Sequence, residues 1–92
     1  MGRVIELRRN FLKRRSEFGI LPGSPEARAL VRCLRELESA EDLPLSGDTE
    51  ANLPPSAWVH QRAVPGTVLL VVYDFSDQIV TIITLRRLGM PY

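Results

Sequence analysis

Ninety-two residues with a mass of 10.4 kDa allow one small domain, residues 1–92, and leave too little chain for a second core. Hydrophobic residues at 45% and charged residues at 25% are ordinary globular proportions, which excludes disorder or a collagen-like repeat as an overall description. The longest nearly uninterrupted apolar run, residues 68–73, is far short of the ~20 residues that a spanning helix needs, so no membrane role is expected.

Cys33 is the only cysteine, which removes an internal disulfide framework, and one Cys with one His (His60) cannot make a four-ligand zinc site. No charged start leads into an apolar stretch and a small-residue cleavage site, so a cytoplasmic domain with no metal and no cofactor is expected. The net charge of +1 conceals a strong segregation. Residues 1–23 carry Arg3, Arg8, Arg9, Lys13, Arg14 and Arg15 against Glu6 and Glu17, whereas residues 24–57 set three arginines against seven acids. Eleven of the twelve basic residues are arginine; its planar fork of donors suits phosphate, though a GC-rich genome raises the arginine share as well.

Along the chain, residues 3–9 alternate loosely around Val4, Ile5 and Leu7 and predict a first strand. Asn10 is placed to cap a short helix with Phe11, Leu12 and Phe18 on one face and Lys13, Arg14, Arg15 and Glu17 on the other; Gly19 and Pro22-Gly23 end it. A second helix follows Ser24 as N-cap, with Pro25 at the first position and Glu26 where the helix dipole favours an acid. Its expected apolar stripe is Ala27, Leu30, Val31, Leu34 and Leu37, with Cys33 a small packed hydrophobe near the edge. Residues 39–57 are rich in Asp, Glu, Ser, Gly and Pro and read as an acidic connecting loop.

The last third predicts three strands. Residues 58–63 alternate, with Trp58, His60 and Arg62 on one face and Val59, Gln61 and Ala63 on the other. After the turn at Val64-Pro65-Gly66, residues 68–73 form a β-branched run suited to a central strand covered on both faces. A hairpin at Ser76-Asp77 leads into a further β-branched strand at 79–85, closed by Arg86-Arg87. The order β-α-α-β-β-β describes an α+β domain in which two helices pack on one face of a twisted, mainly antiparallel sheet. Trp58, His60, Arg62 and the arginines of the last strand are then expected to line the face that the helices leave open.

This order, together with the stretch WVHQRAVPGTVLLVVYDFSDQIVTIITLRR, resembles the RelE/ParE superfamily of toxins from bacterial type II toxin–antitoxin systems. The shared pattern is a strand, a Gly-containing turn, an apolar strand ending in Tyr, an acidic hairpin and a β-branched strand running into basic residues. The resemblance implies a toxin held inactive by a cognate antitoxin. Its RelE branch implies metal-independent cleavage of mRNA on the ribosome. Its ParE branch implies inhibition of DNA gyrase without nuclease chemistry.

Metal-free RNA cleavage needs the 2′-hydroxyl deprotonated, the phosphate stabilised and the leaving 5′-oxygen protonated. Arg62, Arg86 and Arg87 are candidates for the phosphate. His60 is a residue type that exchanges protons near neutrality. Tyr92 falls close to where RelE-like members carry an aromatic or His after the last strand, which implies acid–base work or base stacking. Trp58 is a candidate stacking platform, and Lys13, Arg14 and Arg15 are candidates for contacting RNA or an acidic antitoxin. Each has a plainer role: His60 as a structural strand residue, Arg86-Arg87 as a blunted strand end, Trp58 as a core anchor, Lys13–Arg15 as a solvated face. RelE-like nucleases also carry Lys or Arg along the middle strands, whereas this chain reads Gly66-Thr67-Val68-Leu69 there. A gyrase-binding toxin or a non-toxic binding module of the same fold therefore stays open.

Overall fold

In a computed structural model, residues 2–53 and 57–89 are described. The elements run β1 (Val4–Leu7), α1 (Arg9–Glu17), α2 (Pro25–Ser39), β2 (Thr49–Leu53), β3 (Ala57–Ala63), β4 (Leu69–Phe75) and β5 (Ile79–Arg87). The five strands form one sheet in the order β1-β5-β4-β3-β2, antiparallel throughout except for the parallel β1–β5 pair. The expected α+β architecture is present, with one strand more than the sequence suggested.

That strand is β2, inside the segment expected to be an acidic loop. Its residues, Thr-Glu-Ala-Asn-Leu, have little intrinsic β preference. They become a strand because β3 supplies a full antiparallel ladder, from Thr49 opposite Gln61 to Leu53 opposite Ala57. A polar edge strand of this kind also discourages pairing with another chain. The loop proper is therefore residues 40–48, and Leu43 and Leu45 from it pack against the core.

Helix α2 begins as expected: the Ser24 hydroxyl accepts from the Ala27 amide at 3.1 Å, with Pro25 in the first turn. Its inward face is rotated from the predicted stripe, since Ala29, Leu30, Cys33 and Leu37 are buried while Val31 is half exposed. Cys33 is thus central to the core. Helix α1 starts at Arg9 with Arg8 as an N-cap that makes no side-chain cap bond, so Asn10 does not cap it. The Asn10 side chain instead takes the Thr84 hydroxyl of β5.

Phe11 from α1 and Leu30, Cys33 and Leu37 from α2 close over Val71, Tyr73, Val80, Ile82 and Leu85. Every residue from Leu69 to Tyr73 is buried, as a central strand requires. Because directly paired residues share a face of the sheet, this core identifies the helix-bearing side. His60 lies opposite Tyr73 and Arg62 opposite Val71, so both project on that side. The expectation that Trp58, His60 and Arg62 line the helix-free face is corrected here. The helix-free face carries instead Val59, Gln61, Leu70, Val72 and Arg86, with Arg86 opposite Leu70. No helix of the described residues is long and apolar enough to cross a membrane.

Candidate functional site

The candidate residues divide between the two faces. On the helix-bearing side, strand alternation sets Trp58, His60 and Arg62 in a row along β3. The His60 ring centre lies 5.6 Å from that of Tyr73 and 5.2 Å from that of Phe75, which holds the imidazole against the sheet while leaving it half exposed. Trp58 is 66% exposed, so it is no core anchor. Across the β2–β3 ladder, Glu50 stands opposite His60 and Asn52 opposite Trp58. Reasoning from the sequence missed Glu50 because the strand that carries it was taken for loop.

Arg62 is drawn into the protein. Its Nη1 donates to Asp48 Oδ1 at 2.7 Å and its Nη2 to Glu36 Oε2 at 3.2 Å. The Arg62 side chain is 18% exposed and that of Asp48 only 1%. The second Asp48 oxygen accepts the Tyr73 hydroxyl. Burial alone would pull the Arg62 pKa down; the hydrogen bond and charge of Asp48, with Glu36, outweigh it and hold the guanidinium ionised. Burial, then the Asp48 contact and charge, push the Tyr73 phenol above its ordinary range. Burial likewise pushes the nearby Cys33 thiol up to about 11, which makes it an inert core group. Arg62 Nε makes no hydrogen bond among the described residues.

The other two arginines are separated by one step of strand alternation. On the helix-free face, Arg86 Nη1 donates to Gln61 Oε1 at 2.7 Å. Arg87 points to the opposite side, where its guanidinium lies 4.3 Å above the Phe18 ring and donates to the Phe18 carbonyl at 2.9 Å. The four catalytic candidates on β3 and β5 therefore do not converge: His60 and Arg62 share one face, Arg86 takes the other, and Arg87 closes the end of α1. On α1, Lys13 is exposed, Arg14 lies 3.9 Å from Glu17, and Arg15 sits 5.9 Å over the Phe11 ring. Tyr92 lies outside the described residues.

Between α1 and α2 runs an open apolar groove of about 800 Å³, floored by Phe11, Leu12, Ile20 and Val31 and bordered by Arg28 and Arg32. Among the described residues, no three His, Cys, Asp or Glu side chains gather as a metal site would require. The arrangement thus offers three things: an imidazole on the same strand face as an exposed indole and across the ladder from a carboxylate, an arginine on the reverse face, and a basic-rimmed groove.

No family model matches the chain, and no curated protein matches its sequence. Among solved structures, YafQ from E. coli strain BL21(DE3) is similar, with a TM-score of 0.63 at 14% identity over 95% of this chain and 94% of that one. The two chains share a fold along almost their whole lengths. The expected α+β architecture, two helices on a mainly antiparallel sheet, is borne out by this shared fold.

Proposed function

We propose that this chain is the toxin of a toxin–antitoxin pair and that it blocks translation by cutting mRNA on the ribosome without a metal. The observation that carries this reading is the fold held in common with YafQ, a toxin of the RelE family, over nearly the full chain. On this reading His60 moves a proton, Trp58 stacks on a base, and Arg86 contacts phosphate from the reverse face. Lys13, Arg14 and Arg15 contact RNA along α1. Arg62 and Arg87, whose guanidinium groups are engaged within the protein, act by positioning the loop and the end of β5. Tyr92 follows β5 and remains the aromatic candidate for acid–base work or stacking. The cognate antitoxin supplies an acidic segment suited to the basic-rimmed groove between the helices, and the cytoplasm is where ribosomes and mRNA meet such a protein.

Controlled expression in a bacterial host, with primer extension on a translated reporter, tests the proposal. Growth arrest with discrete cuts inside codons supports it; arrest with an intact transcript overturns the nuclease. One observation favours a second reading, a ParE-like gyrase inhibitor: His60 and Arg86 stand on opposite faces, and binding to gyrase needs a surface rather than an acid beside a phosphate clamp. Inhibition of supercoiling by the purified chain, with no cut transcripts, identifies that alternative.

A further inference from the structure

Resting on the reading of the chain as an RNA-cleaving toxin, we propose that Glu50 is a second catalytic residue. Glu50 and His60, facing each other across the β2–β3 ladder, act as base and acid on RNA, with Trp58 as the platform for a neighbouring base.

The register places the two groups. Glu50 and His60 are direct antiparallel partners, and such partners have Cβ atoms about 4.5–5.5 Å apart on the same side of the sheet. That spacing leaves room for a ribose–phosphate link between two longer side chains. Glu50 is exposed and enters no ion pair among the described residues. The imidazole is less free, because Tyr73 and Phe75 flank it, so its ring direction is set before any substrate arrives. The next row outward pairs Asn52 with Trp58, the most exposed aromatic among the described residues. Stacking of a base on such a ring is worth about 1–3 kcal/mol and tolerates any sequence. Strand β2 ends the sheet, so a single strand reaches this row from the open edge.

The charges around the pair fit a single carboxylate acting as base. Two positions along β3, the Arg62 guanidinium is shared by Asp48 and Glu36, which leaves those two acids engaged, while the neighbouring Tyr73 phenol stays protonated. In the step, the Glu50 carboxylate takes the proton of the 2′-hydroxyl and the 2′-oxygen bonds to phosphorus. The bond from phosphorus to the 5′-oxygen breaks, and that oxygen takes a proton from the His60 imidazolium. The products are a 2′,3′-cyclic phosphate and a 5′-hydroxyl; no oxidant, metal or further reactant enters.

The test is single-turnover cleavage on purified ribosomes carrying mRNA with either a normal linkage or a bridging 5′-sulfur at the cut site. Sulfur leaves without protonation, so it rescues loss of the acid but not of the base. Glu50→Gln, isosteric and at an exposed edge, is expected to slow both substrates by about 10²–10⁴-fold. His60→Gln is expected to lose comparable activity on the normal linkage and regain it on the sulfur substrate, and Trp58→Ala to raise the half-saturating concentration of the chain more than it lowers the maximal single-turnover rate. Circular dichroism and melting confirm that each variant is folded. Cleavage by Glu50→Gln at the wild-type rate overturns the role of Glu50 and leaves the nuclease standing. Failure of sulfur to rescue His60→Gln overturns the pairing. Absence of cleavage by the wild-type chain overturns both this inference and the function on which it rests.

Discussion

The Asp48 carboxylate accepts a 2.7 Å hydrogen bond from Arg62 Nη1 at a point where the Asp48 side chain is 1% exposed. A residue from the end of a surface loop is thereby buried against the middle of the sheet, with the Tyr73 hydroxyl on its other oxygen. Removing one partner of such a pair leaves an uncompensated charge, whereas removing both does not. Asp48→Ala and Arg62→Met are each expected to destabilise the fold by about 3 kcal/mol, and the two combined to recover most of that loss. Urea denaturation of the two single variants and the double variant checks this as a double-mutant cycle.

Alkaline stability follows from the core acids. The Cys33 thiol is pushed up from 9.0 to about 11, and the Tyr73 phenol is raised above its ordinary 10.0. Well below pH 9 both groups are protonated in the folded and unfolded chain, so they add no pH dependence there. As pH rises through 9 to 11 the unfolded thiol ionises first, the unfolded state gains, and stability falls; the tyrosine extends the loss upward. A shift of this size costs about 3 kcal/mol across the window. Cys33→Ala is expected to remove the part of the decline that begins near pH 9, read by melting temperature against pH. In the native protein Cys33 should resist thiol reagents at pH 8.

Arg87 gives a purely structural readout. Its stacking on Phe18 and its bond to the Phe18 carbonyl tie the end of β5 to the end of α1. Arg87→Ala is expected to cost about 1–2 kcal/mol, and Arg87→Lys to restore only part of it because an ammonium cannot stack and donate in one plane. Thermal melts of the two variants decide the point.

Arg86 predicts a binding effect instead. On the proposed function, Arg86→Ala weakens RNA binding and reduces the slope of log affinity against log salt by about 0.7, the share of one phosphate contact on a single strand.

Helix α1 can be improved. Arg8 occupies the N-cap without capping, and the first turn holds no acid. Arg8→Asp supplies both a cap and a favourable charge for the helix dipole, at the loss of an exposed ion pair with Glu6. A net gain of about 0.5–1 kcal/mol is expected by chemical denaturation.

What the sequence disclosed was whatever depends on neighbours in the chain. Ser24-Pro25 announced α2, and the β-branched runs announced β4 and β5. Period-two alternation grouped Trp58, His60 and Arg62 correctly, yet alternation does not say which way a strand faces. That was decided by the pairing of His60 with Tyr73 and by Asp48, fourteen residues before Arg62, which gives an inward arginine its counter-charge. Strand β2 escaped notice for the same reason: its ladder is lent by β3, and its own residues carry almost no strand signal. With it went Glu50. Asn10 has the chemistry of a helix cap, and only the distant Thr84 shows why it is used elsewhere.

The parallel pairing of β1 with β5 sets Val4 beside Ile79. During synthesis, therefore, β1 leaves the ribosome well before the strand that seats it, since its partner is made about 75 residues later. Until then the inward face of Phe11 and of the Leu30–Leu37 side of α2 lacks Val80, Ile82 and Leu85, and a chain arrested before β5 has no seat for β1. Such fragments are expected to be chaperone and protease substrates, so that the domain becomes competent only when its two ends lie side by side.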